Sequence, residues 1–144
     1  MHSLHLLAFS FAACLQPVGL AYAEPAKESH TAVYELEWAQ TPFGPEAAPV
    51  AGDFTNGQHI TYIKFPAGMV TPVHTHSTDY VGVVITGVTR HWLPGKPESK
   101  KILPAGSHWA IPANIDHVSE CLSGVECVMA IYQDAAFDFV PKAD

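Results

Sequence analysis

The sequence predicts an all-β protein of a single domain, folded as a sandwich or jelly-roll barrel. Three observations carry this. After residue 30 no long apolar pattern repeats at 3.6 residues. Short runs of Val, Ile, Tyr, Trp and Thr are instead separated there by ten of the chain's 12 prolines and nine of its 10 glycines, as in proteins built from many short strands. The chain has 144 residues, 48% of them hydrophobic and 15% charged, which suits one domain with one core and not a disordered polymer.

The first residues are a different kind of sequence. Leu4 to Leu20 is apolar and uncharged, and Ala21-Tyr22-Ala23 has the small-x-small form that signal peptidases cleave, before the polar Glu24-Pro25-Ala26-Lys27. Residues 1–23 therefore read as a removable export signal, too short and too interrupted by Pro17 and Gly19 for a good membrane span. The alternative is lipidation at Cys14, since Phe11-Ala12-Ala13-Cys14 distantly resembles a lipoprotein cleavage site. The expected location is periplasmic or secreted, with no membrane contact once the signal is removed.

Residues 24–58 read as an N-terminal strand, Val33–Ala39, and one long loop over 40–57 marked by Pro42, Gly44, Pro45, Pro49, Gly52 and Gly57. Residues 59–144 form the expected barrel core. Its strands are read at His59–Phe65, Tyr80–Thr86, Thr89–Leu93, Lys100–Leu103, His108–Ile111, Val118–Cys121 and Val125–Tyr132. Turns fall at Pro66-Ala67-Gly68, Pro94-Gly95, Pro104-Ala105-Gly106 and Ser123-Gly124. The alternation in Phe137-Asp138-Phe139-Val140-Pro141 adds a candidate edge strand.

Loss of the signal leaves two of the three cysteines, Cys121 and Cys127, an even number for an oxidising compartment. A hairpin loop over Ser123 to Val125 would set them opposite each other, where a disulfide is geometrically easy. Two buried thiols are the alternative. Net charge is −7 with only seven Lys and Arg, so no basic surface exists for nucleic acid.

Seven of the nine histidines lie outside the signal. On a strand the rings of His74 and His76, at i and i+2, share a face about 6.6 Å apart and can converge on one metal. Alone the pair is a weak signal, because chance supplies about half a His-x-His in such a chain. The surroundings raise it. Gly68, five residues, His74-x-His76, three residues, Tyr80, six residues and Gly87 form one spaced motif, and Gly106, five residues, Pro112 and His117 form a second.

With these two motifs the chain, from about residue 59 to 133, resembles the cupin superfamily. The resemblance implies a cupin-type jelly-roll β-barrel with His74, His76 and His117 pointing inward on one divalent transition metal (Fe, Zn, Mn, Ni or Cu). It also implies pairing as a homodimer. Three positions depart from the pattern. Tyr80 replaces the usual glutamate ligand, Asn114 a glycine, and Cys121 the terminal asparagine.

Tyr80 shares the inward face with His76, where it would ligate weakly, hydrogen-bond a metal-bound species, or merely pack. It is the candidate catalytic residue. Three neutral imidazoles leave the metal its full charge and open positions for water or substrate. His59, His91 and His108 lie in predicted strands and face either the cavity or solvent; alternation puts one member of His91/Trp92 and one of His108/Trp109 inside.

Two functions follow. One is an enzyme, such as an oxygenase, acting on a small organic molecule. The other is a non-catalytic cupin binding a metal or small ligand in an apolar cavity of Phe65, Trp92 and Trp109. A sensor domain like those of zinc-binding anti-sigma proteins is disfavoured by the export signal and the lack of a partner-binding helix.

Overall fold

The computed structural model describes residues 28–143, so the segment expected to be an export signal, with Cys14, lies outside the described residues. The chain divides at His30. In the N-terminal unit His30 and Glu28 are exposed and lie 3.0 Å apart. The main unit, from Thr31 onward, holds all the strands among the described residues.

Eleven strands follow in order: β1 (Ala39–Gln40), β2 (Glu46–Gly52), β3 (His59–Phe65), β4 (His74–Thr75), β5 (Tyr80–Thr86), β6 (Val88–Trp92), β7 (Leu103–Pro104), β8 (His108–Ile111), β9 (Val118–Cys121), β10 (Cys127–Gln133) and β11 (Val140–Pro141). One antiparallel sheet has the order β1-β2-β3-β10-β5-β8; the others are β7-β6-β9 and β11-β4. Bridges at Val70↔Glu120 and His74↔His117 join the two smaller sheets into one opposing layer. The fold is a cupin-type jelly roll.

Period-2 burial explains why these segments are strands. In β3 the residues His59, Thr61, Ile63 and Phe65 are buried while Ile60, Tyr62 and Lys64 are not, and β10 buries Cys127, Met129, Ile131 and Gln133 in the same way. These inward rows, with Tyr80 and Ile111, make the core. The register aligns His59, Gln133 and Tyr80 across three neighbouring strands.

Four predicted strands coincide with those observed: His59–Phe65, Tyr80–Thr86, His108–Ile111 and Val118–Cys121. Others are corrected. Val33–Glu35 is a 3₁₀ turn, closed by the Glu35 carboxylate accepting from the Ala32 N–H at 2.7 Å, and pairing begins only at Ala39. The expected loop over 40–57 contains β2, which accommodates Pro49 because the β2–β3 register shifts between Pro49 and Ala51. The expected strand Lys100–Leu103 shrinks to Leu103–Pro104, since a 3₁₀ turn at Pro97–Ser99 precedes it.

The disulfide forms, with Cα atoms 5.7 Å apart, but not across a hairpin. Cys121 ends β9 and Cys127 begins β10, and these strands belong to different sheets, so the bridge ties the two layers together. The motif glycines Gly68 and Gly106 have φ of 70° and 87°, where a side chain is strained. Asn114 has φ 60°; asparagine enters this region more readily than most residues, which explains how it replaces the motif glycine.

Gly82 has a different role. A Cβ there would stand 2.1 Å from the Trp109 ring, which lies against it across β5 and β8. Gly82→Ala is expected to cost about 1–3 kcal/mol by displacing a rigid indole. Urea unfolding followed by tryptophan fluorescence checks this; an unchanged midpoint and emission maximum would refute the packing argument.

Candidate metal centre

The chain brings its three candidate ligands together through backbone pairing. His74 and His76 share the inward face around β4. His117 lies directly opposite His74, each backbone N–H donating to the other's carbonyl, at 3.1 and 2.9 Å. Ring centroids are 4.1 Å apart for His74–His117, 5.1 Å for His76–His117 and 5.2 Å for His74–His76. One ring nitrogen from each lies within 4.8 Å of the others, and all three residues are buried.

Hydrogen bonds decide which nitrogens face the centre. His74 Nδ1 lies 2.9 Å from the Pro72 carbonyl, His117 Nδ1 2.8 Å from that of Ile115, and His76 Nδ1 against that of Asp138. A carbonyl only accepts, so each Nδ1 carries the proton and each Nε2 keeps its lone pair. Burial, reinforced by the neighbouring imidazoles, pushes His74 down to about 3. Burial likewise lowers His117 to about 4 and depresses His76. All three are neutral at physiological pH. Three lone pairs of one type on a buried, uncharged cluster fit a divalent transition metal.

Tyr80 sits behind this cluster and also lines the cavity over it. Its hydroxyl lies 3.0 Å from His117 Nε2 and 2.7 Å from Nε2 of His91. His91 Nδ1 in turn meets Ser119 Oγ at 2.8 Å. With the His117 lone pair committed to a metal, the Tyr80 O–H would donate to His91 Nε2 and the His91 Nδ1–H to Ser119 Oγ. Burial raises the Tyr80 pKa and lowers that of His91, so both stay neutral. Asp79 points away and accepts from the Ala113 N–H at 2.7 Å.

The remaining histidines are now placed. His91 faces inward and stacks on Trp109, with ring centroids 4.6 Å apart. Trp92 consequently faces outward beneath Lys100, whose Nζ is 4.2 Å from its ring, and does not line the cavity as expected. His108 is exposed and Trp109 lines the cavity with Phe65. His59 is buried with Nδ1 3.0 Å from Thr61 Oγ1, and its Nε2 has no partner among the described residues.

Sequence reasoning missed the cover of the site. The C-terminal strand β11 pairs with β4, so Phe137 and Phe139 flank the ligand rings, with Phe139 stacked 4.1 Å from His74 and Phe137 5.0 Å from His76. Asp138 between them holds His76 through its carbonyl and Ser77 through its carboxylate. Phe43 and Phe54, from the stretch read as loop, stack on these rings at 4.8 and 4.7 Å. The only signal was the alternation Phe137-Asp138-Phe139, which marked a strand but not its partner.

The model of one protein family, DUF4437, described as a domain of unknown function, matches residues 26–144. The chain belongs to this family. No curated protein matches the DUF4437 chain in sequence. Among solved structures it is similar to the polyketide cyclase RemF from Streptomyces resistomycificus, with TM-score 0.64 and 15% identity over 83% of this chain and 87% of that one. KdgF from Halomonas sp. is similar with TM-score 0.60 and 23% identity over 74% and 94% of the two chains. An RmlC-like cupin from Shewanella frigidimarina gives TM-score 0.60 and 21% identity over 76% and 93%. The likeness is one of fold: the DUF4437 domain has the cupin-type jelly roll of these structures.

Proposed function

We propose that this DUF4437 domain is a mononuclear metal protein in which His74, His76 and His117 hold one divalent transition metal. In this reading it works outside the cytoplasm as a metal-dependent enzyme, such as an oxygenase, on a small organic molecule. The supporting observation is the set of three neutral imidazoles, each oriented by a backbone carbonyl, beneath a cavity of about 60 Å³. A bound ion would supply Lewis acidity and, for iron or copper, redox chemistry. Tyr80 would hold its hydroxyl beside the ion, oriented by His91, and the aromatic cover would exclude water. The leader-like sequence and the disulfide support export.

A second reading, a cupin that binds without turnover, is favoured by how closed the site is. His74, His76 and His117 are only 3%, 5% and 0% exposed. Elemental analysis of the exported protein, beside a His74→Ala/His76→Ala variant, tests the metal. About one metal per chain is expected in the parent, and at least about a 100-fold loss of affinity in the variant. Iron favours the oxygenase reading and zinc the binding reading. A parent that stays metal-free after reconstitution would overturn the metal centre in both and leave a metal-less barrel that binds a ligand.

A further inference from the structure

We propose that the cavity above the histidines selects a ring-shaped, otherwise apolar ligand carrying a single polar group, and rejects polyhydroxylated or multiply charged molecules. This deepens the metal reading above and rests on it only for where that group goes.

The walls argue the class of ligand. Phe43, Phe54, Phe65, Phe137, Phe139 and Trp109 dominate the lining, and it includes no Asp, Glu, Lys or Arg. Its three aliphatic hydroxyls each already have a partner. Thr41 Oγ1 donates to the Pro45 carbonyl at 2.7 Å, Thr71 Oγ1 accepts from the Ser119 N–H at 2.9 Å, and Ser119 Oγ meets His91 at 2.8 Å. Tyr80 is engaged by His91 and His117. Trp109 Nε1 in this wall is buried without a partner among the described residues, so a ligand finds partners for polar atoms at the histidine centre and at this indole N–H. Each further hydroxyl it carries goes unpaired, at about a tenfold loss of affinity or more.

The cover argues how such a ligand enters. An apolar cavity of about 150 Å³ accommodates a benzene ring, whereas this one offers about 60 Å³. A ring must therefore displace a ring. Phe139 is anchored next to β11, and Phe137 donates its backbone N–H to the Phe54 carbonyl. Phe43 is 38% exposed in the turn between β1 and β2, and it stacks on Phe139 but on none of the histidines. Phe43 is the ring that yields, leaving the ligand to stack in its place.

Calorimetric titration of the metal-loaded protein with benzoate and with glucuronate tests this. The two share one carboxylate donor and differ in the body that must lie against the walls. Benzoate is expected to bind at least about 100-fold more tightly. Phe43→Ala, which leaves the ligands untouched, is expected to tighten benzoate about fivefold at unchanged metal content. Glucuronate within tenfold of benzoate, no benzoate binding, or weaker benzoate binding by Phe43→Ala would overturn the proposal. Chelator-treated protein titrated with phenol and inositol repeats the comparison without metal. If elemental analysis finds no metal, the metal reading fails while this pair still decides the ligand class: phenol must win.

Discussion

Between pH 6.5 and pH 4 the metal-free protein is expected to lose several kcal/mol of stability, a large part of what a domain of this size has. The cause is the histidine cluster. Burial lowers His74 to about 3 and His117 to about 4 from the ordinary 6.5, and depresses His76, His91 and His59 as well. The unfolded chain takes up protons on these rings near pH 6.5 while the folded chain refuses them. Above about pH 7 both states are neutral at these positions and stability is flat. Below pH 6.5 the unfolded state binds more protons, so stability falls as pH falls, by up to about 1.4 kcal/mol per pH unit for each of His74 and His117, with the other rings acting in the same direction. Acid also releases a metal held by the same nitrogens, in the same direction. Urea midpoints of chelator-treated protein at pH 7.5, 6, 5 and 4.5 measure this. Equal stability at pH 7.5 and pH 5 would sink the idea that these rings are buried neutral.

Removing the disulfide is expected to cost about 2–4 kcal/mol and to lower Tm by roughly 10 °C. The loop it closes is short, with a sequence separation of 6, so the chain-entropy term alone is near the bottom of that range. The location adds to it. Cys121 and Cys127 are 1% and 0% exposed and belong to the core, and they tie β9 of one sheet to β10 of the other. Calorimetry of a Cys121→Ala/Cys127→Ala variant gives the size of the effect, and the parent under dithiothreitol should show a similar fall. A reduced parent melting within about 2 °C of the oxidised one would mean the layers are held by packing alone.

Legibility varied along the chain for physical reasons. His59–Phe65 and Tyr80–Thr86 were readable to the residue because each buries one face only, which imprints period 2 on the sequence. Strand β2 was not, because Pro49 and Gly52 resemble loop punctuation, and only pairing with β3 makes the segment a strand. Val33–Ala39 had strand-like residues but no partner before Ala39. His74, His76 and His117 were readable because their spacing to Gly68, Gly87, Gly106 and Pro112 is rigid in sequence. His91 was readable only as one member of an alternating pair with Trp92.

What the sequence determined by itself is local: the strand periodicity, the turns at Gly68 and Gly106, and the three imidazoles of the centre. What only the tertiary structure decided is everything that depends on a partner distant in the chain. It turned the Cys121–Cys127 bridge from a hairpin clasp into a tie between sheets. It sent Trp92 out, engaged Tyr80 with His91, and laid Phe137 and Phe139 over the ligands through the pairing of β11 with β4. Periodicity reports whether a residue is buried, because burial acts through the strand's own alternation. It carries no record of which distant side chain shares that buried space, because pairing across sheets leaves no mark on local spacing.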